Sequence, residues 1–376
     1  MQRRAGGNRG ETDDDGSGTG DKGVKFGWLT LSASPAPEAD RERIADQIAL
    51  VEAAEAAGFS DVWLTEHYFT GESVYCDALT FAAALAMRTT RLRIGFAVVQ
   101  APFHHPVRLA TQLSLLDNLS GGRIDIGIGK GTVYNEYEFI GYGLRSDDSR
   151  TRMAETVSIL ERVWTEAPFR HKGAFHEFEM PELRPRPVQQ PGPPLWRSAI
   201  SPASFRECGE AGLPLLTTRL PLEAIPARWK LYGEGLEAGG HAPAKRARLL
   251  GDAAVWRNVY VAGSDAEAED RLYEHLVATR AHIMHLRGAL NPPDFEIDPA
   301  MLNAMSDPSV SDGEAVAQAM DTGSIWGSPA RVREQVAALG DAGVGHLLCQ
   351  TAFGAMEREE ALANMRAFSE AVIERP

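Results

Sequence analysis

The sequence predicts a single (β/α)8 barrel, an α/β fold of the TIM-barrel type with insertions. Strand-like apolar segments alternate with helix-like segments along almost the whole chain, and eight such strands can be identified. This alternation indicates parallel strands joined by crossover helices. The 376 residues also suffice for a barrel of about 250 residues with additional segments. An open, doubly wound sheet is the structural alternative.

Each predicted strand is a short apolar run that ends at polar or turn-forming residues. In chain order these strands are Val24–Leu31, Asp61–Leu64, Leu92–Val99, Ile124–Ile128, Leu195–Ala199, Leu213–Thr218, Ala254–Val261 and Val344–Cys349. The predicted helices have apolar residues three or four positions apart, and several begin at a proline or end at a glycine. In chain order these helices are Arg41–Ala57, Ala78–Met87, Pro106–Leu119, Arg150–Trp164, Pro202–Ala211, Leu222–Ala238, Asp265–His282, Pro329–Ala342 and Arg358–Ile373.

Three segments do not follow the barrel alternation. Residues 1–23 are rich in glycine and charge, so we expect a disordered N-terminal tail that precedes one domain over residues 24–376. The proline-rich stretch Ala167–Gly192 could contain a hairpin. The long stretch Met284–Gly323 (residues 284–323) is predicted to be a lid-like loop late in the barrel, because loops of this size in compact domains are usually functional or mobile.

Composition excludes several classes of protein. The 38 Lys and Arg against 52 Asp and Glu give a net charge of −14, which is unfavourable for binding nucleic acid. No apolar run is long enough to cross a membrane, and the N-terminus has no signal-peptide pattern. The three cysteines are far apart in the sequence. These features predict a cytoplasmic protein without disulfides.

A cluster suited to acid–base chemistry follows the second predicted strand. Glu66, His67 and Tyr68 come directly after this strand, where barrel enzymes place their catalytic groups. The alternative for His67 is a hydrogen-bonded structural histidine. His104 and His105 are adjacent, but no third ligand is suitably spaced, so we predict no metal site.

Other strand ends carry residues that suit a phosphate. Lys130 lies between two glycines, Arg150 opens a helix, and Ser201 and Ser204 flank the start of another helix. Helix N-termini and cationic side chains bind phosphate. Taken singly, the segment at Lys130 is more simply explained by a tight turn and Ser201 by a helix cap, while Arg150 is either an anion contact or a surface charge.

Together these segments resemble the bacterial luciferase-like flavin monooxygenases over most of Val24–Ile373. The stretches that carry the resemblance are Trp63–Phe69 (WLTEHYF), Pro102–Arg108 (PFHHPVR), Leu115–Arg123 (LLDNLSGGR), Gly127–Gly131 (GIGKG), Tyr142–Arg150 (YGLRSDDSR) and Gly327–Pro329 (GSP). The resemblance implies a (β/α)8 barrel that binds reduced FMN at its C-terminal face. It also implies that dioxygen adds to the flavin C4a carbon and that the resulting peroxide oxidises a small organic substrate.

The resemblance also assigns roles to individual residues. It makes His67 the catalytic histidine and places Glu66 beside the flavin. Lys130, Arg150, Ser201 and Ser204 are implied to be phosphate contacts. Ala97 and Val98 fall where luciferase has a non-prolyl cis peptide next to the flavin ring. An imidazole pKa near ~6.5 would let His67 exchange protons at neutral pH.

The sequence departs from luciferase at three of these positions. Tyr68 replaces a second histidine, Gly129 a reactive cysteine, and Lys130 an arginine. We therefore expect a monooxygenase that does not emit light. Reduced flavin would come from a separate reductase, and the resemblance implies a homodimer. The alternatives are an F420-dependent oxidoreductase of the same superfamily and a non-catalytic luciferase-type partner subunit.

Overall fold

The computed structural model describes residues 23–132, 134–297 and 302–374. The strands within these residues are β1 (Lys25–Thr30), β2 (Asp61–Leu64), β3 (Arg93–Gln100), β4 (Ile124–Gly129), β5 (Phe169–Lys172), β6 (Glu177–Met180), β7 (Leu195–Ser198), β8 (Leu215–Thr218), β9 (Ala254–Val261), β10 (Ser324–Gly327) and β11 (His346–Gln350). The tail predicted over residues 1–23 lies outside the described residues, apart from Gly23.

The helices of the described residues cover most of the connections between strands. They are α1 (Asp40–Ala56), α2 (Ala78–Arg88), α3 (Pro106–Ser120), α4 (Glu136–Gly141), α5 (Ser149–Val163), α6 (Pro202–Ala211), α7 (Ile225–Ala238), α8 (Pro243–Asp252), α9 (Asp265–Leu290), α10 (Asp312–Gly323), α11 (Pro329–Asp341) and α12 (Arg358–Phe368). Their ends follow local sequence signals. The Asp77 side chain caps α2 by accepting from the Thr80 amide, and Gly121 ends α3 in the left-handed region at φ 68°.

Eight parallel strands close into a barrel. Their order is β1, β2, β3, β4, β7, β8, β9 and β11, and β11 pairs with β1 to complete the ring. The prediction of a (β/α)8 barrel is confirmed, and the open sheet is excluded. β10 lies outside the ring and extends β9 in parallel, with Ser324 opposite Asn258. β5 and β6 form the antiparallel hairpin suggested for Ala167–Gly192.

The core has one layer inside the barrel and one between the strands and the helices. The inner layer is a buried cluster of Leu29, Trp63, Trp196, Leu216, Ala254 and Leu348. Charged side chains interact with one another at the N-terminal end of the barrel. There the buried Asp61 carboxylate accepts a hydrogen bond from His346 Nε2 at 2.9 Å and lies 3.3 Å from the Lys25 ammonium. This end therefore stabilises the fold, and the C-terminal end remains for function.

The stretch predicted as a lid-like loop contains regular structure. Its first residues continue α9 to Leu290, and its last residues form α10. The Ser311 hydroxyl and the Glu314 carboxylate form a capping box at the start of α10. Ala315 and Val316 in α10 pack in a second buried cluster with Leu272 of α9. Among the described residues no helix is long and apolar enough to cross a membrane.

Candidate active site

Glu66, His67 and Tyr68 lie directly after β2, at the C-terminal end of the barrel. The Glu66 carboxylate is buried and has several donors. Its Oε1 accepts from the Tyr68 hydroxyl and lies 2.8 Å from His104 Nε2, and its Oε2 accepts from the Gln100 amide. The Gln100 side chain donates to the Glu66 carbonyl. Glu66 therefore fixes the end of β3 to the end of β2.

His67 lies among carboxylates. Its Nδ1 is 3.3 Å from Glu138 Oε1 and 3.8 Å from Glu72 Oε2. Burial of the imidazole acts to lower its pKa, but the charge of Glu72, the hydrogen bond and charge of Glu138, and the charge of Glu66 outweigh this effect. The pKa of His67 is raised to about 9. The expectation of a pKa near that of a free imidazole was wrong, because three acids surround this ring.

Glu138 in α4 is a site residue that the sequence did not reveal. Its carboxylate is fully buried, and Oε1 accepts from the Tyr68 amide at 2.9 Å. Its other oxygen, Oε2, is buried without a hydrogen-bond partner among the described residues. Glu138 is far from His67 in sequence and lies in a helix too short to be predicted from its pattern. Only the fold brings the two together.

Aromatic rings form one wall of this region. The Tyr68 ring meets the Phe103 ring edge to face at 5.6 Å and the Tyr142 ring at 4.9 Å. Phe103 and Tyr142 stack with their centroids 4.9 Å apart. Burial and the neighbouring Glu66 charge raise the pKa of Tyr68 well above its usual range, so the phenol stays protonated. The Tyr68 hydroxyl is thus a donor held on Glu66.

His104 and His105 have separate roles. His104 pairs with Glu66, whose charge raises the pKa of His104 against the opposing effect of burial. The His105 ring lies 5.1 Å from the His176 ring at a cavity of about 220 Å³ next to the aromatic wall. Within the described ranges, no group of three or more His, Cys, Asp or Glu is arranged to hold a metal ion.

The predicted phosphate residues occupy two neighbouring places on the rim. Burial and, to a smaller extent, the charge of Arg150 lower the pKa of Lys130. Ser201 caps α6 through the Ser204 amide at 3.3 Å, and Ser204 Oγ accepts from the Ile200 amide at 3.0 Å. Lys130 follows β4 and Ser201 follows β7, and these strands are paired. The structure shows no direct contact between the cations and the serines.

The end of β3 has an unusual backbone. The peptide bond between Ala97 and Val98 is cis, and the register between β3 and β4 shifts between Phe96 and Val99. Gly129 faces this segment so closely that a Cβ there would lie 2.3 Å from Val98 Cγ2. The absence of a side chain at Gly129 therefore leaves room for the cis segment beside Lys130.

The sequence of this chain matches a family model. The model, described as luciferase-like monooxygenase, matches residues 24–346. The oxygenase component of a flavin-dependent trigonelline monooxygenase from Acinetobacter baylyi is 27% identical over 283 residues, which cover 72% of this chain and 75% of that protein. It is one of several relatives with flavin-dependent or monooxygenase names.

Solved structures share the fold. Monooxygenase RslO1 from Streptomyces bottropensis has a TM-score of 0.74 and 27% identity, covering 93% of this chain and 99% of that one. The oxygenating constituent of 3,6-diketocamphane monooxygenase from Pseudomonas putida, solved with FMN, has a TM-score of 0.73 and 21% identity, covering 93% and 98%. An F420-dependent tetrahydromethanopterin reductase from Methanopyrus kandleri has a TM-score of 0.67 and 18% identity, covering 93% and 99%. The last two resemblances concern the fold alone.

Proposed function

Because the chain belongs to the luciferase-like monooxygenase family, we propose that it uses reduced FMN and dioxygen to oxidise a small organic substrate. Membership of this family identifies the chain as an enzyme, a flavin-dependent monooxygenase. The specific proposals are FMN as the flavin, a separate reductase that supplies it in reduced form, and a homodimer as the working assembly. When bound, reduced FMN would supply the electrons that activate dioxygen.

The residues at the barrel mouth fit a flavin with a phosphate. Lys130 and Arg150 provide adjacent positive charge, and the start of α6 at Ser201 and Ser204 provides amide and hydroxyl donors on the neighbouring strand end. This combination of cations and a helix N-terminus suits a phosphate dianion. We propose that Ala97 and Val98 contact the flavin ring, since Gly129 lets the Val98 side chain pack against the end of β4 next to Lys130.

The acid–base cluster would hold protons at defined atoms. His67 is protonated at neutral pH and directs Nδ1 toward Glu138, so Nε2–H is available as a donor. No described residue accepts a hydrogen bond from this Nε2. Glu66 orients the Tyr68 hydroxyl and His104. We propose that His67 donates to, or stabilises, negative charge that develops on oxygen during the reaction.

Water must be kept away from such chemistry. The aromatic wall of Tyr68, Phe103 and Tyr142 covers one side of the site. We propose that residues 284–323 act as the mobile lid over the other side. Their position late in the barrel supports this role.

The observation that carries the proposal is the position of Lys130, which follows β4 beside the Ala97–Val98 segment at the same end of the barrel as Glu66, His67 and Tyr68. The test is an anaerobic titration with photoreduced FMN, followed by rapid mixing with oxygenated buffer and quantification of hydrogen peroxide. We expect tight binding and reoxidation that is much slower than for free reduced FMN. Binding of reduced F420 but not of reduced FMN would favour the hydride-transfer alternative.

The variant His67→Ala separates catalysis from a supporting role. We expect it to bind reduced FMN like the wild type but to oxidise it with faster release of hydrogen peroxide. If wild type and variant behave alike in both steps, His67 is not the catalytic histidine, and a non-catalytic partner subunit becomes the better explanation.

A further inference from the structure

An arginine without an acidic partner stands at the barrel mouth. Arg219 directly follows β8 and has a left-handed backbone at φ 36°. Its guanidinium carbon lies 4.5 Å above the centre of the Trp256 ring. Its Nε is buried and has no hydrogen-bond partner, and no described carboxylate lies within ion-pair distance of it. Arg219 is half-buried, and removing a charge from water is costly unless something pairs with it.

Two other arginines that are at least partly buried have acidic partners. Arg280 donates to Asp312 at 2.6 Å, and Arg93 donates to Asp125 at 2.6 Å. Arg257 is also buried beside Arg219, but it donates to the backbone carbonyls of Trp256 and Leu220. Unlike Arg280 and Arg93, Arg219 has a guanidinium that no described carboxylate pairs. Whereas Arg257 donates to carbonyls, the Nε of Arg219 has no hydrogen-bond partner among the described residues.

The surroundings of Arg219 offer hydrogen-bond donors and few acceptors. Trp256 belongs to the cluster inside the barrel, and Asn258 follows two residues later on the same face of β9. The indole Nε1 of Trp256 and the amide Nδ2 of Asn258 are both buried without an acceptor among the described residues. Asn258 is only 1% exposed. Buried donors without acceptors are rare in folded proteins and point to a ligand that brings acceptors.

A second cation flanks the same region. Arg287 of α9 lies 4.0 Å from the centre of the Tyr134 ring, and its NH1 is also buried without a partner. Burial lowers the pKa of Arg219, and the nearby Tyr134 acts to raise it. Tyr134 is thus near both arginines, one of which follows β8 while the other belongs to α9.

We propose that the substrate carries a carboxylate, which Arg219 binds by a charge-assisted hydrogen bond while the flat organic part of the substrate packs near Trp256. The inference rests on the proposed function, because it names the substrate class of that site. A planar guanidinium matches a carboxylate with two parallel hydrogen bonds. The same cation could instead hold the cofactor phosphate, but Lys130, Arg150, Ser201 and Ser204 already provide a site for that group.

The test is isothermal titration calorimetry with benzoate, cinnamate and octanoate, and with the primary amide of each acid. Each ligand is titrated into flavin-free protein and, separately, into protein saturated with FMN. The variant is Arg219→Gln, which keeps an unbranched side chain on the same backbone. The matched control is Arg333→Gln, which replaces an exposed arginine of α11. Melting curves of each variant show whether it is folded.

We expect at least one carboxylate to bind more tightly than its amide. In Arg219→Gln we expect carboxylate binding to weaken roughly ten- to a hundredfold, with amide and FMN binding unchanged. The Arg333→Gln control should match the wild type. Equal binding of acid and amide, no binding of any carboxylate, or unchanged carboxylate binding in Arg219→Gln overturns the proposal.

Two results separate this inference from the proposed function. A loss of FMN affinity in Arg219→Gln without an effect on carboxylates assigns Arg219 to the cofactor and overturns the inference alone. Arg219-dependent carboxylate binding in a protein that does not retain reduced FMN leaves the anion site in place and overturns the proposed function.

Discussion

Replacing Glu138 by glutamine tests whether buried carboxylates keep His67 protonated. The pKa of His67 is about 9 instead of 6.5 for a free imidazole. At about 1.4 kcal/mol per pKa unit, this difference corresponds to about 3 kcal/mol in favour of the imidazolium. Against burial, which lowers this pKa, the charge of Glu72 is the largest single effect, Glu138 supplies both a hydrogen bond and a charge, and the charge of Glu66 adds a smaller effect.

Glutamine is a conservative replacement at this position. Its oxygen can still accept from the Tyr68 amide, as Glu138 Oε1 does at 2.9 Å. Its amide would occupy the place of Oε2, which has no partner among the described residues. We therefore expect Glu138→Gln to fold, and the pKa of His67 to fall by about one unit or more, since a charge-assisted hydrogen bond contributes about 1.5–3 kcal/mol.

The assay is NMR titration of protein with 13C-labelled histidine, using His67→Gln to assign the resonance. Glu161→Gln on the exposed face of α5 is the control and should leave the pKa of His67 unchanged. The raised pKa also predicts a stability change. The ion pair stabilises the fold fully below pH 6.5, and this stability is lost as the pH rises toward 9. A wild-type His67 that titrates near 6.5, or an unchanged pKa in Glu138→Gln, would refute the reasoning.

Three further predictions concern the cofactor site and the barrel. Lys130→Ala should weaken binding of reduced FMN roughly tenfold or more in an anaerobic fluorescence titration; unchanged binding would remove Lys130 from the phosphate site. Gly129→Ala should lower the free energy of unfolding, measured with urea, by about 1–3 kcal/mol and impair FMN binding, because its Cβ would lie 2.3 Å from a Val98 methyl. The control is Gly288→Ala in α9, where a Cβ meets open space, and it should be neutral or stabilising in the same experiment. Asp61→Asn should cost about 3–5 kcal/mol at pH 7. Burial alone would raise the pKa of Asp61, but its neighbours His346 and Lys25 hold this pKa well below its usual range. The free energy of unfolding that the Asp61 charge contributes is therefore present above pH 3.8 and declines as the pH falls further. This decline should be absent from the pH profile of Asp61→Asn.

The barrel could be predicted because each of its strands is buried on both sides. Parallel strands of this type are continuous apolar runs, such as Ala254–Val261, and all eight predicted strands coincide with barrel strands to within a few residues. Helices were missed where burial is slight. Only Leu249 of α8 is buried, so its sequence has no apolar face to detect. The start of α10 did carry a signal, the capping box of Ser311 and Glu314.

Candidate site residues can be recognised where they are contiguous in sequence. Glu66, His67 and Tyr68 form one motif at a strand end, and the resemblance to a family indicated the cis peptide between Ala97 and Val98, which the structure contains. The roles of Lys130, Arg150, Ser201 and Ser204 as phosphate contacts stay predictions. The protonation state of His67 could not be predicted, because it depends on Glu138, which only the fold brings near. A pKa follows from distances between charges, and sequence spacing does not contain them.

The distribution of charge at the barrel mouth differs from what the composition suggests. A net charge of −14 should repel an anionic cofactor or substrate, but charges more than a Debye length away, about 8 Å at physiological ionic strength, are largely screened. Nearby charged groups therefore determine the electrostatic potential at the barrel mouth. Acids surround His67 at the end of β2, whereas cations without described acidic partners lie after β4 and β8, at Lys130 and Arg219. The end of β2 thus favours protonated groups, whereas the ends of β4 and β8 carry positive charge that suits the anionic phosphate and carboxylate proposed above.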